Sequence, residues 1–329
     1  MTNRSWRHHF AILLACASVF APGGLLVAQG SLDPSIAPRA VNLERQGDRP
    51  IATELLGRYL ATAPDDGIAW FHLGRFYLAD QRDWHVRGHT GEPSGPLYLD
   101  FAVAALDQAI RLMVDSAVVY RLMVEMDRAR LYVETFGWEA ARERRPREGA
   151  LKMPPYILEL GANLLASCPH DGVLLTGAPL ETVSVWYASL ETGRRSDVLP
   201  LEPRLYATDS LYRVQMASAL GVDPRLPVRH ALAAVAPRRP ICLTPMADTA
   251  AVPFTRFTAV RLVRVGPASA PVTEDVLSVS DLMEMERKGV TVWTVDIRRI
   301  YAAAATHNAL LCSGLLHTLG DRPLGACGR

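Results

Sequence analysis

The hydrophobic pattern of segment 172–202 changes twice, and it predicts a strand, a helix and a second strand. An apolar run at 172–176 ends at Gly177. The apolar positions that follow are spaced as on one buried helix face: Val183, Trp186, Tyr187 and Leu190. Gly193 favours a helix end, and the short apolar segment 197–201 predicts the second strand. The unit is therefore βαβ, with parallel strands and its first loop at the carboxyl end of the sheet, where open α/β folds bind ligands.

The same pattern continues through the second half of the chain. Pro200 lies inside the second predicted strand and indicates that this strand is at an edge or is cut short. Further helices are predicted at 156–166, 209–220, 276–288 and 295–319, and the helix at 209–220 is expected to turn Leu211, Val214 and Leu220 inward. Further strands are predicted at 241–244 and 258–265, the second with Arg261 and Arg264 facing out at an edge. These elements predict a Rossmann-like three-layer α/β domain with a mainly parallel sheet at 151–266, followed by a C-terminal helical extension and tail at 267–329.

The first half carries a helical repeat signature. Residues 70–77, WFHLGRFY, match the W-x2-L-G-x2-Y pattern of the first helix of a tetratricopeptide repeat. Ala52, Leu56 and Pro64 fit the end of a preceding repeat, and Tyr120 takes the aromatic position of a following one. Because Tyr120 comes later than a period of about 34 residues requires, the polar, Gly-rich and Pro-rich segment 82–98 is predicted as an insertion loop. A TPR-like helical domain is therefore expected at 31–150.

Such repeats use a concave face to bind protein partners. A basic run at 142–147, RERRPR, ends the helical part, and it is either a solvated linker or a contact to lipid head groups or to an acidic partner. The candidate partner-binding residues come from the repeat helix, the insertion and the basic run: Phe71, Arg75, Trp84, Arg142, Arg144 and Arg145.

Residues 1–30 indicate export. Arg4 and Arg7 precede a run at 10–28 without a charged side chain, and Ala28, with Leu26 two residues before it, fits a cleavage site. The run is also close to the roughly 20 residues that span a bilayer. The segment is thus a signal peptide or an N-terminal membrane anchor, and the predicted location is periplasmic and membrane-associated.

Export into an oxidising compartment makes the cysteines informative. Cleavage would remove Cys16 and leave Cys168, Cys242, Cys312 and Cys327, which allow three pairings that the sequence alone does not separate. Cys312 and Cys327 are a candidate disulfide, because the Gly-rich tail after residue 320 can fold back on the preceding helix. Buried or free thiols are the alternative.

Composition and motifs narrow the functional classes. The 329 residues are 49% hydrophobic and 21% charged, which is ordinary for a globular chain, and a net charge of +1 gives no overall field for nucleic acid. The sequence contains no GxGxxG, GxxxxGK[ST], GxSxG, HExxH or CxxC pattern. We therefore predict no cofactor, no metal, no catalytic residue and no nucleic-acid partner.

The second domain resembles the soluble C-terminal region of a family of multi-spanning bacterial membrane proteins related to protein O-mannosyltransferases. The resemblance covers about 155–266 and rests on LLASCPHDGVLLTG, VWYASLETGRRSDV, PICLT and FTAVRLVRVGP. In that family a strand is followed by a Gly-Asp-Asn-Asp-Thr loop, a Trp-Tyr pair and Gly-x-x-x-Asp-Val. The pair corresponds here to Trp186 and Tyr187, and the later elements to Gly193, Asp197 and Val198.

Two departures from this family bear on function. No hydrophobic run after residue 30 is long enough to span a bilayer, so the membrane-embedded part that the family would use for glycosyl transfer is not expected here. The polar loop has become 178–182, APLET, which keeps only Glu181 and Thr182 as polar residues. Any sugar or metal chemistry of the Asp-Asn-Asp loop is therefore not expected to carry over.

Two functional hypotheses follow, and a third class remains open. The leading one is an exported, non-enzymatic interaction or scaffold protein that acts as a membrane-extrinsic subunit of a larger inner-membrane complex. The alternative is an enzyme or accessory subunit of cell-envelope glycosylation with a saccharide pocket at the first βα loop; a periplasmic ligand-binding module is the third. The candidate ligand-binding residues are Thr176, Gly177, Glu181, Thr182 and Asp209. The simpler interpretation is that Thr182 caps the helix, Glu181 complements its dipole, and Trp186 and Tyr187 pack in the core.

Overall fold

Six helices form the first half of the structure, a computed structural model that describes residues 33–86, 94–144, 153–267, 277–289 and 292–319. We call them the helical unit: α1 (Ile36–Arg45), α2 (Arg49–Leu60), α3 (Gly67–Val86), α4 (Ser94–Arg111), α5 (Asp115–Phe136) and α6 (Trp138–Arg144). α1 packs on α2, and α3 packs on α4 along most of its length. Small residues at the helix contacts, among them Ala52, Ala102 and Ala109, are fully buried.

The predicted insertion loop is shorter than expected. α3 continues to Val86 and α4 begins at Ser94, so both ends of the predicted loop 82–98 are helical. The apolar residues Leu97, Tyr98 and Leu99 extend the helical pattern of α4 toward its start, which the prediction underestimated. Residues 87–93 lie outside the described residues.

The second half is built on a sheet with helices around it. We call residues 153–267 the α/β unit: α7 (Pro155–Ser167), β1 (Val173–Leu175), α8 (Pro179–Leu190), β2 (Leu199–Leu201), α9 (Pro203–Thr208), α10 (Ser210–Leu220), α11 (Val228–Val235), β3 (Ile241–Leu243), β4 (Thr258–Val260) and β5 (Val263–Gly266). The strand order is β2-β1-β3-β5-β4. The described part of the chain is therefore mostly helical with a small five-stranded sheet, an α+β architecture.

The predicted βαβ unit is present. β1 pairs in parallel with β2 and with β3, and Leu174 of β1 is aligned with Pro200 of β2. β2 lies at the edge of the sheet, as Pro200 indicates, since proline cannot donate to a further strand. All three strands are buried along their whole length, which explains their continuous apolar sequences.

The prediction of a mainly parallel sheet is wrong, because the sheet is mixed. The segment 258–265, predicted as one long edge strand, is a hairpin of β4 and β5 that turns at Arg261, a residue with a positive φ of 48°. β5 then pairs antiparallel with β3. A tight turn inside an apolar run leaves the alternation almost unchanged, so the pattern alone did not show it.

Three helices follow the sheet: α12 (Ser280–Lys288), α13 (Val292–Ala305) and α14 (Ala309–Leu319). The long helix predicted at 295–319 is interrupted, because the Asn308 side chain accepts a hydrogen bond from the Leu311 amide at 3.1 Å and starts a new helix. α12 is fixed to α7 by Glu159, whose carboxylate accepts from the amides of Asp281 and Leu282, both at 3.1 Å.

α10 is rotated relative to the prediction. Its buried face is formed by Tyr212, Met216 and Leu220, whereas Leu211 and Val214 are 57% and 49% exposed. The spacing of the larger buried residues therefore sets the inward face. The helix ends at Gly221 with a φ of 66°, as a glycine stop requires.

The two units pack on each other through one continuous core. α5 contacts α8 and α10, and α6 contacts the same two helices. The ring of Trp138 meets the edge of Trp186 at a centroid distance of 5.5 Å, and Trp186 stacks on Tyr212 at 6.0 Å. Trp186 is thus a core residue, as the simpler interpretation of the sequence held, and Tyr187 is half-buried.

A disulfide joins Cys168, at the end of α7, to Cys242 in β3. Of the three pairings that the four cysteines allow, this one leaves Cys312 with Cys327. Cys327 lies outside the described residues, so the Cys312–Cys327 bridge stays a prediction.

Candidate functional site

A single buried carboxylate closes the carboxyl end of β1. Glu181, in the first turn of α8, accepts hydrogen bonds from the backbone amides of Gly177 (3.0 Å), Ala178 (3.1 Å) and Met246 (3.1 Å), and from the hydroxyl of Thr244 (2.6 Å). Burial raises the pKa of Glu181, and these hydrogen bonds oppose the rise. Four donors suit the ionised carboxylate, which only accepts. Glu181 therefore connects the loop after β1 with the loop after β3.

The two loops approach each other too closely for a side chain to lie between them. A Cβ added to Gly177 would lie 2.0 Å from the carbonyl oxygen of Met246. The hydroxyl of Thr182 donates to that of Thr176 at 2.9 Å, and Thr176 is 1% exposed. The loop that was predicted to face a ligand is thus covered by the loop after β3.

Four of the five candidate ligand-binding residues meet here: Thr176, Gly177, Glu181 and Thr182. Their roles differ from the simpler interpretation in one respect: Glu181 accepts from the amide of Ala178, the residue before the first helical residue, whereas Thr182 bonds to Thr176 and to the Ala178 carbonyl. The fifth candidate, Asp209, starts α10, where its carboxylate accepts from the amides of Leu211 and Tyr212, both at 3.0 Å.

Asp209 belongs to a second group of charged residues. Its side chain hydrogen-bonds to that of Glu134 in α5. The Oε1 atom of Glu134 lies 3.1 Å from the Nε atom of Arg130. Burial raises the pKa of Glu134 to about 9; Arg130 opposes the rise, while Asp209 and Asp127 add to it. Sequence reasoning missed Glu134 and Arg130. The signal was present as Asp127, Arg130 and Glu134 at spacings of three and four residues, which put all three on one helix face.

Two of the partner-binding candidates lie together on the helical unit. The guanidinium of Arg75 lies 5.9 Å from the ring centroid of Phe71 and 5.7 Å from that of Tyr120, and the two rings meet edge to face at 5.2 Å. His72 borders this group, and burial, aided by the positive charge of Arg75, lowers its pKa to about 4. Both candidates therefore already pack against their own chain.

The other partner-binding candidates are distributed differently. Arg142 donates to the carbonyl oxygen of Ser196 at 3.0 Å and pairs with Glu139, so it joins α6 to the α/β unit. Trp84 lies in α3 and Arg144 ends α6, but the structure describes only the backbone of these two residues. Arg145 lies outside the described residues.

The helical unit contains a cleft of about 810 Å³ between its first two helices and α3 and α4. Arg49 lines it and pairs with Asp80 at 3.1 Å and with Asp83 at 2.6 Å. Its lining combines carboxylates with tyrosines: Glu44, Glu54, Asp80, Asp83, Tyr77 and Tyr98. The sequence analysis did not predict this cleft, because its lining residues come from separate helices.

Comparisons with protein-family models, with curated proteins and with solved structures gave no match. Among the described residues, no helix is both long and apolar enough to cross a membrane. In the same part of the chain, no group of three or more His, Cys, Asp or Glu side chains is arranged to hold a metal ion.

Proposed function

We propose that this chain is an exported, non-enzymatic interaction protein, a membrane-extrinsic periplasmic subunit that stabilises a larger inner-membrane complex. The observation that carries the proposal is the use of the β1 loop. Glu181 receives four hydrogen bonds from its own chain, and Gly177 is in contact with the Met246 backbone. The polar groups that a saccharide pocket would need are therefore engaged in holding two loops together.

The helical unit supports the partner-binding half of this proposal. We interpret α1 to α4 as two TPR-like helix pairs. Trp70 Nε1 donates to the carbonyl oxygen of Pro64 at 2.8 Å, which joins the first helix of one pair to the end of the preceding pair. A Cβ on Gly74 would lie 2.6 Å from Cγ of Leu106, so the glycine of the repeat pattern permits close packing of α3 on α4. Such arrays present surfaces to protein partners.

Within that unit, we assign the partner to the cleft of α1 to α4. Tyr77 and Tyr98 supply large, stiff contact surfaces, and tyrosine is enriched at binding hot spots. Four carboxylates and Arg49 line the cleft. Glu44 also pairs with Arg75 and Glu54 with Arg58, which leaves one excess negative charge that a segment carrying lysine or arginine complements. Residues 1–30, with their charge-free run at 10–28, supply the export and membrane association that the proposal requires.

The experiment is affinity purification of the full chain from detergent-solubilised membranes, followed by mass spectrometry. We expect a protein partner at a fixed stoichiometry with the 36.1 kDa chain or its processed form. Recovery of the chain alone, at its monomer mass, contradicts the proposal. The spectrum also reports whether residues 1–30 are cleaved.

A charge reversal tests the assignment of the cleft. Glu54 lines the cleft, is 60% exposed and pairs with Arg58 of its own helix; Glu139 on α6 is 67% exposed and pairs with Arg142 of its own helix. We expect Glu54→Lys to release the partner and the matched control Glu139→Lys to retain it. Equal retention by both variants contradicts the cleft as the partner surface.

The glycosylation alternative predicts another outcome, which the single variant Thr182→Val detects. If the β1 loop holds a saccharide, Thr182→Val abolishes glycan transfer in cells without lowering the unfolding temperature. Under our proposal it lowers the unfolding temperature slightly, because the hydroxyl's hydrogen bonds to Thr176 and to the Ala178 carbonyl oxygen are lost, and glycan transfer is unchanged.

A further inference from the structure

Acidic residues collect where the helical unit meets the α/β unit. Asp127 and Glu134 on α5 are 7% and 6% exposed, Asp209 before α10 is 7% exposed, and Glu202 after β2 is half-buried. Burial raises the pKa of Glu202, and the nearby charge of Asp127 raises it further. Buried carboxylates require counter-charges or protons, since solvation no longer stabilises their charge.

The counter-charges in this cluster are arginines from three elements. Arg130 of α5 lies between Asp127, at 3.7 Å, and Glu134, at 3.1 Å. Arg82 of α3 donates to Asp127 at 2.9 Å, and Arg204 of α9 faces Glu202. Three arginines thus stand against four carboxylates. Tyr212 of α10 also faces the cluster, but burial raises its pKa far above the neutral range, so it stays uncharged. The cluster has one excess negative charge, which one proton neutralises.

The position of that proton is fixed by one hydrogen bond. Glu134 and Asp209 hydrogen-bond to each other through their side chains, and two carboxyl groups can do so only with a proton between them. Glu134 belongs to the helical unit and Asp209 to the α/β unit. Beside them, the Gln215 side chain donates to the Glu134 carbonyl oxygen at 3.2 Å, so α10 and the end of α5 are in direct contact.

We propose that the proton shared by Glu134 and Asp209 controls the contact between the two units. The units dock when the proton is bound, and loss of the proton as the pH rises weakens the contact of α5 with α10. Without the proton, two carboxylates would repel each other across a buried interface, and Arg130 would face both of them and Asp127 with a single charge. The proposal is independent of the partner-binding function.

The direction of the pH dependence follows from the two states of Glu134. The pKa of Glu134 is about 9 in the folded chain, against 4.5 for an ordinary glutamate. Between these values the folded state holds a proton that the unfolded state has released, so the stability of the docked state falls as the pH rises through this window. Above about pH 9 the proton is lost from both states, and the dependence ends.

The test is amide hydrogen exchange of the full chain with its disulfides intact, from about pH 6 to about pH 9, corrected for the intrinsic exchange rate. We expect the opening constant of α5 and α10 amides to rise by up to about tenfold per pH unit, because one proton is released. The amides of β1 and β3 should stay protected over the same range. Glu134→Gln keeps a neutral hydrogen-bonding group and should abolish the rise.

Two further variants keep the test decisive. Asp209→Asn removes the charge but retains a side-chain oxygen that can cap α10, so it should also abolish the rise and serves if Glu134→Gln does not fold. Glu143→Gln changes an exposed carboxylate on α6 and should keep the wild-type pH dependence. A wild-type rise that persists in Glu134→Gln or Asp209→Asn overturns the proposal, and so does a loss of protection that is uniform across the chain.

Discussion

Burial raises the pKa of both Glu181 and Glu134, yet their hydrogen-bond partners favour opposite protonation states. Glu181 is met by three backbone amides and a hydroxyl that all donate, which favours the carboxylate. Glu134 is met by another carboxyl group and by one arginine, which favours a shared proton. The Nη2 of that arginine, Arg130, finds no hydrogen-bond acceptor within the described ranges. The hydrogen bonds of the buried carboxylate are therefore satisfied in the loop after β1, whereas the buried charges at the interface of the two units are incompletely paired.

The largest loss of stability is expected from removing the Glu181 carboxylate, which connects the loops after β1 and β3. Glu181→Ala leaves four donors without their acceptor in a buried site, and we expect a loss of about 3 to 5 kcal/mol in the free energy of unfolding. Urea unfolding at neutral pH measures it. Glu54→Ala, at a 60% exposed position, is the control and should change little. A loss below about 1 kcal/mol for Glu181→Ala would mean that the two loops are not connected as described.

Reduction of the Cys168–Cys242 disulfide should have the next largest effect. The bridge spans 74 residues and lies wholly within the α/β unit. Its loss is expected to lower the free energy of unfolding by about 2 to 4 kcal/mol. The Cys168→Ala, Cys242→Ala double variant, compared with the wild type under oxidising conditions, gives the value. The pH dependence of α5 and α10 should survive in this variant; if it disappears, the two regions are not separable.

Two variants at Asp209 distinguish its role as the helix cap of α10 from its role in sharing a proton with Glu134. At about pH 8, Asp209→Asn should be at least as stable as the wild type, because it can retain the cap and relieves the excess negative charge. Asp209→Ala loses the bonds to Leu211 and Tyr212 and should be about 1 kcal/mol less stable than Asp209→Asn. Thermal unfolding of both variants in one buffer gives the difference. Equal stabilities would show that capping at this position is unimportant.

The smallest effect is expected on the outer face of α10. Leu211→Ser and Val214→Ser change side chains that are 57% and 49% exposed, and each should alter the free energy of unfolding by less than about 0.5 kcal/mol. Leu220→Ser, at a 3% exposed position of the same helix, is the matched control and should cost several times more. Large losses for Leu211→Ser and Val214→Ser would restore the orientation that the sequence predicted.

The sequence predicted the local elements better than their pairing. The βαβ unit, the edge position of Pro200 and the stop at Gly221 follow from local rules, because each depends on the conformational limits of one residue or on one helical or strand period. The hairpin at Arg261 and the break at Asn308 escaped prediction, since one turn residue or one capping residue interrupts an otherwise continuous apolar pattern.

The sequence predicted that four of the five candidate ligand-binding residues lie together, but not the partners that complete their hydrogen bonds. Thr176, Gly177, Glu181 and Thr182 do meet after β1, as the strand-turn-helix pattern implies. The hydrogen bonds of Glu181 are completed by Met246 and Thr244, which lie 65 and 63 positions away in the chain. The same limit applies to Glu134 and Asp209, which lie on different units. Long-range partners of a buried charge are set by packing, and no local pattern records them.

The most direct test of the central claim is the hydrogen exchange of three amides, those of Gly177, Ala178 and Met246, in the full chain at neutral pH. If the loops after β1 and β3 are joined through Glu181, these amides exchange only with large-scale unfolding, and saccharides leave their rates unchanged. Exchange at the rate of an open surface loop, or slowing of that exchange by a sugar, would contradict the account and favour a ligand pocket.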